Sequence, residues 1–377
     1  MVKPIEHYVI YHDVRFHAAF PSMARFSDGR LTLAFRRARD GMWLLPAEKR
    51  EKIDPLSYMD HIDSRSHIVL LALDENGIVA AQNPDQLPAD PEAADQETAL
   101  LALPGDRLLL ASFSWYPLPA HASGQPGERS APGDERVGCH FIYWGSHCSL
   151  RERAEGAWVY HHRYLTPDGG YGRWLGSDKS KACVPPAHGQ ALWRDEEILL
   201  PLYGGVDEGC ALFVSDDEGS NWHFRSLIAL DQQQQVTFQE PALCSDGQGG
   251  MVCFMRTSDA DGRLATVHSH DGLHWSEPKL HQLIGHPFHP LLLDDGRILL
   301  SYGYREKPYG IRARLLDSPL HDPDHSEEII IRDDGLCPDL GYPWAVQLQN
   351  GQMLLSYYWT DTQGTRHIVA SRLELSA

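Results

Sequence analysis

"EPALCSDGQGGMVCFMR" (residues 240–256) sets an apolar run, a Gly-rich polar turn and a second apolar run end to end. A carboxylate, Glu240, heads the first run and a guanidinium, Arg256, ends the second. Five other stretches repeat the pattern: "FPSMARFSDGRLTLAFRR" (20–37), "ETALLALPGDRLLLASFSW" (97–115), "HGQALWRDEEILLPLYGG" (188–205), "HPLLLDDGRILLSYGYR" (289–305) and "YPWAVQLQNGQMLLSYYW" (342–359). Their turns, near Gly29, Gly105, Glu196, Gly249, Gly296 and Gly351, are 76, 91, 53, 47 and 55 residues apart. Repetition at this period, in a chain rich in short β runs and poor in helical periodicity, is the mark of a propeller or solenoid. Six units in 377 residues leave about 63 residues each, room for four strands and their loops. The expected fold is all-β: a six-bladed β-propeller of four-stranded antiparallel blades, one domain over 1–377. "RHIVASRLEL" (366–375) is expected to share its blade with "EHYVIYHD" (6–13), closing the ring and removing its sheet edge.

Two pieces interrupt the repeat. Residues 38–63 mix charge and proline with Trp43, Leu44, Leu45 and Tyr58, and read as a lid insertion. Residues 117–136, rich in Pro, Gly and charge, read as a mobile loop.

Composition narrows the function classes. Lys and Arg number 33 against 52 Asp and Glu, a net charge of −19 with no basic run, which disfavours nucleic acid and anionic membrane surfaces as partners. Seven scattered cysteines without a CxxC pair suit reduced thiols rather than a disulfide frame or a zinc site. No apolar segment has the length of a membrane span or the pattern of a signal peptide, so a soluble, cytoplasmic protein is expected. His, Glu and Asp at the blade starts could bind a metal, but no HxH or HExxH spacing joins them, so no metal and no cofactor are expected.

"SDDEGSNW" (215–222) and "SHDGLHW" (269–275) fit an Asp-box, a hairpin turn whose Asp accepts backbone amides while the Trp packs beneath; "TPDGGYGRW" (166–174) is a degenerate third. All three read as structural.

In a blade, the innermost strand starts at one face of the ring and the second strand returns to it. Seven to nine residues before the turns stand Phe20, Glu97, His188, Glu240, His289 and Tyr342. At the ends of the second strands stand Arg36 and Arg37, Trp115, Tyr203, Arg256, Arg305, and Tyr358 and Trp359. Both sets surround the central depression. A solvated rim alone has no need of carboxylates, imidazoles, a phenol and several guanidinia converging on one axis, whereas a ligand or catalytic site does.

These stretches resemble the sialidase superfamily, six-bladed propeller glycosidases with Asp-boxes. The resemblance covers the whole chain. It rests on "QEPALCSDGQGGMVCFMR", similar to the family's Glu-Pro stretch before a triad arginine, on "GYPWAVQLQNGQMLLSYY", similar to its catalytic-tyrosine stretch, and on "FPSMARFSDGRLTLAFRRARD", similar to its first blade. The resemblance implies Tyr342 as nucleophile, Glu240 as its base and Arg256 as a carboxylate-binding arginine, with Arg305 or Arg312 as another. For the general acid it points to "YMDHIDSRSHIVLL", with Asp63 first, Asp60 second and Asp40 third. Arg37, His61, Arg65, Glu97, His188 and His289 complete the expected substrate-binding set. Where the family has Arg-Ile-Pro, this chain has Ala19-Phe20-Pro21. The implied activity is an exo-acting, retaining glycoside hydrolase acting on a carbohydrate that ends in an acidic or deoxy sugar. Two alternatives stand beside it: a polysaccharide lyase in which Tyr342 or a His takes the proton α to a uronate carboxylate, and a propeller that binds glycans or proteins without turnover.

Overall fold

The computed structural model describes residues 2–375 apart from 41, 43–44, 58–65, 81–82, 88–93, 120–129, 135–138, 155–156, 165–172, 175–181, 184–186, 205–208 and 234; between 115 and 183 it describes the backbone alone. Six antiparallel blades make up a β-propeller, and the only α-helix among the described residues is one turn, Ala47–Arg50. Blade 1 runs Phe16–Arg25, Leu31–Arg39, His67–Leu73 and Asp85–Gln86. Blade 4 runs Phe238–Ser245, Met251–Thr257, Arg263–Ser269 and Lys279–Ile284. Blade 5 runs Phe288–Leu292, Ile298–Tyr304, Gly310–Leu316 and Glu328–Arg332. Blade 6 joins Gly341–Gln347, Met353–Thr360 and Arg366–Leu375 to the N-terminal strand Val2–Tyr11. That last pairing, Val2 opposite Leu375 through Tyr11 opposite Ile368, closes the ring as the sequence predicts.

The blades form because the second strands are largely apolar and buried. Met353–Thr360 is buried at all eight positions, since a central strand is covered by neighbouring blades on both faces. The core is accordingly a ring of packed clusters, one joining blades 6, 1 and 2 to blade 3 (Leu192–Arg194, Glu197–Tyr203, Cys210–Ser215 and His223–Ala229) through Phe20, Leu33, Leu109, Leu200, Phe213 and Tyr358.

The two turns singled out in the sequence use their polar residues locally. Ser215 Oγ accepts the Gly219 amide at 2.8 Å, Asp217 Oδ1 accepts the Asn221 amide at 2.8 Å, and Trp222 Nε1 donates to the Gly219 carbonyl at 3.1 Å. In the next blade Ser269 and Asp271 repeat this, and Trp275 Nε1 donates across to Ser226 Oγ at 3.0 Å. The third stretch, 166–174, lies largely outside the described residues.

Blade 2 differs from expectation. Its second strand, Arg107–Pro119, continues past the blade, and Ser130–Asp134 is also a strand. Both pair with the 16-residue strand Cys139–Ala154, whose length offers a ladder beyond the blade edge. Residues 117–119 and 130–134 are therefore not loop, and 120–129 and 135–136 lie outside the described residues. Of the 38–63 insertion, Pro55 meets blade 6: its carbonyl accepts Arg366 Nη1 at 3.0 Å.

Candidate active site

Three inner strands begin with the same irregularity. Phe20, Glu240 and Tyr342 each precede a proline and each has a positive φ, 56°, 51° and 51°. At each, two residues of the inner strand stand opposite one of its partner: Phe20 and Pro21 against Phe35, Glu240 and Pro241 against Met255, Tyr342 and Pro343 against Tyr357. This is a β-bulge, which bends the strand and re-aims one side chain. The left-handed backbone costs a non-glycine residue about 1 kcal/mol or more, and such strain concentrates at functional sites. The three re-aimed side chains meet. Tyr342 Oη donates to Glu240 Oε1, and the Phe20 ring stands edge-on to Tyr342 at 4.6 Å between centroids.

The Glu240–Tyr342 pair is enclosed. Glu240 is 2 % exposed and Tyr342 6 %. Arg256 Nε lies 3.0 Å from Glu240 Oε2, so the two carboxylate oxygens face one phenol and one guanidinium. Burial alone would raise the Glu240 pKa, but Arg256 and His188 outweigh it and hold the carboxyl below its usual value. Burial, then the Glu240 charge, pushes the Tyr342 phenol well above its usual value. At neutral pH the proton therefore rests on Tyr342 and the charge on Glu240.

His188 approaches Tyr342 from another side, ring centroids 5.0 Å apart. Its Nδ1 is 3.1 Å from Glu97 Oε2, and both residues are buried. Burial acts to lower the imidazole pKa, yet Glu97 and then Glu240 raise it on balance. Glu97, His188, Glu240 and Arg256 thus gather around the phenol. Gly189, at φ 106°, lets the chain pass directly against the Pro241 backbone, which seats His188 beside Glu240.

Arg305 supplies a cation whose bonds are to neutral groups: Nη2 donates to Tyr358 Oη at 3.0 Å and Nε to the Leu340 carbonyl at 3.2 Å, with the guanidinium 5.7 Å from the Tyr342 ring centre. Behind it, Asp339 accepts from Tyr358 Oη at 2.9 Å and from Arg366 Nε at 2.7 Å. Arg256 also donates to Gln239 Oε1 at 2.5 Å and faces His286 Nδ1 at 3.3 Å. Burial, aided by Arg256 and Arg305, lowers the His286 pKa to about 4, so that imidazole is neutral.

Other expected residues stand elsewhere. Arg312 sits in the third strand of blade 5, its Nη groups on the carbonyls of Arg332 (2.5 Å) and Pro308 (3.1 Å), which ties that blade together. His289 is wedged between blades 5 and 6, against Trp344 at 4.5 Å and the Ala345 carbonyl at 3.2 Å; burial lowers its pKa to about 3. Arg37 donates to His67 Nε2 at 3.0 Å and Tyr11 Oη at 3.3 Å, while its neighbour Arg36 is fully buried near Phe20. None of these contacts is to Glu240 or Tyr342. Asp40 Oδ1 caps the Met42 amide at 3.0 Å, beside a cleft of about 150 Å³ between blades 1 and 6. Asp60, His61, Asp63 and Arg65 lie outside the described residues.

Asp339, Tyr358, Arg366, Gln239 and His286 were not singled out in the sequence as a set, because they come from separate strands and turns. The bulges did leave a signal. Phe20, Glu240 and Tyr342 each stand nine residues before the turn glycine, whereas His289, without a bulge, stands seven before it.

No protein-family model and no curated protein sequence matches the chain. Among solved structures, a Dyadobacter fermentans protein of unknown function is similar over 100 % of this chain and 99 % of its own, at 29 % identity and a TM-score of 0.83. The Streptococcus pneumoniae sialidase NanB is similar over 97 % of this chain and 70 % of its own (12 % identity, TM-score 0.61). The Hadza microbial sialidase Hz136 is similar over 97 % and 68 % (14 % identity, TM-score 0.62). In its fold, the chain is a divergent sialidase-like six-bladed β-propeller.

Proposed function

We propose that the protein is an exo-acting, retaining glycoside hydrolase for a glycan ending in an acidic or deoxy sugar. The observation that carries this reading is the buried hydrogen bond from Tyr342 Oη to Glu240, with Arg256 on the other carboxylate oxygen. A phenol is a weak nucleophile until a positioned base takes its proton, and a neutral one approaches an anionic sugar without charge repulsion. Tyr342 Oη bonds to the anomeric carbon as the glycosidic C–O bond breaks, and its proton passes to Glu240. An aspartic acid, Asp63 first among the candidates, gives its proton to the leaving oxygen. Water, deprotonated by that aspartate, then releases the sugar from Tyr342, and Glu240 returns the proton to the phenol. Arg256 and His188 stabilise Glu240 as the anion that receives the proton. Arg305, bonded to neutral partners, is the cation free to meet an acidic substituent.

A lyase is the second reading, favoured by the buried Glu97–His188 pair against Tyr342. Incubation with sialylated, uronate-containing and neutral oligosaccharides in ¹⁸O-water, followed by mass spectrometry, separates the two. Hydrolysis adds one ¹⁸O-water per cleavage; elimination adds none and leaves an unsaturated uronate. A glycan-binding propeller gives no product with either.

A further inference from the structure

We propose that His12, Asp361 and His367 form a binding site for a zinc-class divalent cation on blade 6. The site stands at the rim of the face that carries Glu240 and Tyr342. There the second strand of blade 6 ends at Thr360, the third begins at Arg366 and the N-terminal strand ends at Tyr11. One ligand atom from each of the three residues lies within 4.8 Å of the others. His12 Nε2 and Asp361 Oδ2 are 2.8 Å apart, and the two imidazole rings are 5.1 Å apart.

The atoms that would not touch the cation are already held, as metal sites require of their outer shell. Asp361 Oδ1 accepts the amides of Gln363 at 2.8 Å and Thr365 at 2.9 Å, which fixes the carboxylate and leaves Oδ2 toward His12. The Thr365 carbonyl faces His367 Nδ1 at 3.1 Å. A carbonyl only accepts, so Nδ1 carries the hydrogen and Nε2 keeps the lone pair a metal needs. Asp361 and His367 also line a cleft of about 700 Å³ with Trp359 and Thr362, which leaves room for water or a sugar hydroxyl as a fourth ligand.

Two imidazole nitrogens and one carboxylate suit Zn²⁺, Co²⁺ or Ni²⁺; Ca²⁺ and Mg²⁺ prefer all-oxygen shells. A second group, His281, Asp322 and Asp324, meets the same spacing, but Lys279 Nζ already neutralises Asp322 Oδ2 at 2.7 Å and Thr266 Oγ1 holds His281 Nε2 at 2.8 Å. It serves as the internal control.

The test is calorimetric titration of the whole chain, carrying no histidine tag, with zinc. The expected result is one equivalent bound, weakened at least about 100-fold by His12→Ala and by Asp361→Asn and unchanged by His281→Ala. His12 is partly exposed, so that variant folds even where the buried His367→Ala does not. Bound Co²⁺ should show visible d–d bands without thiolate charge transfer, which separates this site from the cysteines. Absence of zinc binding, or binding that survives His12→Ala and Asp361→Asn, overturns the proposal.

Discussion

Replacing Arg256 by Gln removes the cation 3.0 Å from a carboxylate that is 2 % exposed. Removing one partner of a buried pair costs ~3–5 kcal/mol, because the other charge stays in low dielectric. Glu240 keeps the Tyr342 hydroxyl and the nearby His188, so the lower end, about 3 kcal/mol at pH 8, is the expected loss. Its pH dependence is more telling than its size. In the native protein the Glu240 pKa lies below its unfolded value, so its contribution is present above that value and lost as pH falls through the folded pKa. Without Arg256, burial dominates and the folded pKa rises above the unfolded one. The contribution is then present at low pH and lost as pH rises through the raised pKa. The gap between wild type and Arg256→Gln should therefore widen between about pH 5 and 8, by up to ~1.4 kcal/mol per pH unit. Urea unfolding followed by tryptophan fluorescence at pH 5, 6, 7 and 8 measures it. The double variant Glu240→Gln/Arg256→Gln should recover most of the loss at pH 8. A gap that is flat with pH, or below about 1 kcal/mol throughout, would refute the buried-pair account.

Tyr342→Phe should lower turnover by at least about 10³-fold while circular dichroism and the unfolding midpoint change little, since only one hydrogen bond is lost. Gly189→Ala should destabilise the fold strongly and lower activity together: the new Cβ meets the Pro241 backbone, and φ there is 106°. A soluble variant with unchanged melting and kinetics would contradict that placement. For Glu97→Gln the expectation is a pH-dependent loss. The raised His188 pKa stabilises the fold below its unfolded value of 6.5 and stops doing so as pH rises through the folded value, so the deficit in melting temperature should be largest near pH 5–6 and shrink toward pH 9.

The architecture was legible because it repeats. Six strand–turn–strand units, with glycine at or beside most turns, define the blades, and the antiparallel hairpin alone brings Glu240 and Arg256 to one end of blade 4. The head positions were legible for the same reason, seven to nine residues before each turn, but the bulges at Phe20, Glu240 and Tyr342 were not. What lies behind them was not. Asp339 meets Tyr358 and Arg366 only because blade 6 folds its second and third strands beside the preceding turn, and nothing in the local sequence marks those partners. His289 shows the limit of reading by position. It heads an inner strand like its counterparts, but lacks the bulge that would turn it to the centre, so its ring packs on Trp344 instead. Arg312 and Arg314 likewise answer to blade 5 carbonyls, which a sequence pattern does not reveal.

Phe20 occupies the third bulged head, equivalent to those of Glu240 and Tyr342, and closes the space beside both Tyr342 and Tyr358, at 4.6 and 5.6 Å between ring centres. A charged group at that head would have to find a partner within the same enclosed cluster.

The most direct test of the central claim is to trap the sugar on the enzyme. Fluorinated, activated glycosides of acidic and deoxy sugars would be incubated with the protein, which is then digested and sequenced by mass spectrometry. The account predicts a glycosyl adduct on Tyr342 that is absent in Tyr342→Phe. Cleavage with the adduct on another residue, or turnover that persists in Tyr342→Phe, would contradict it.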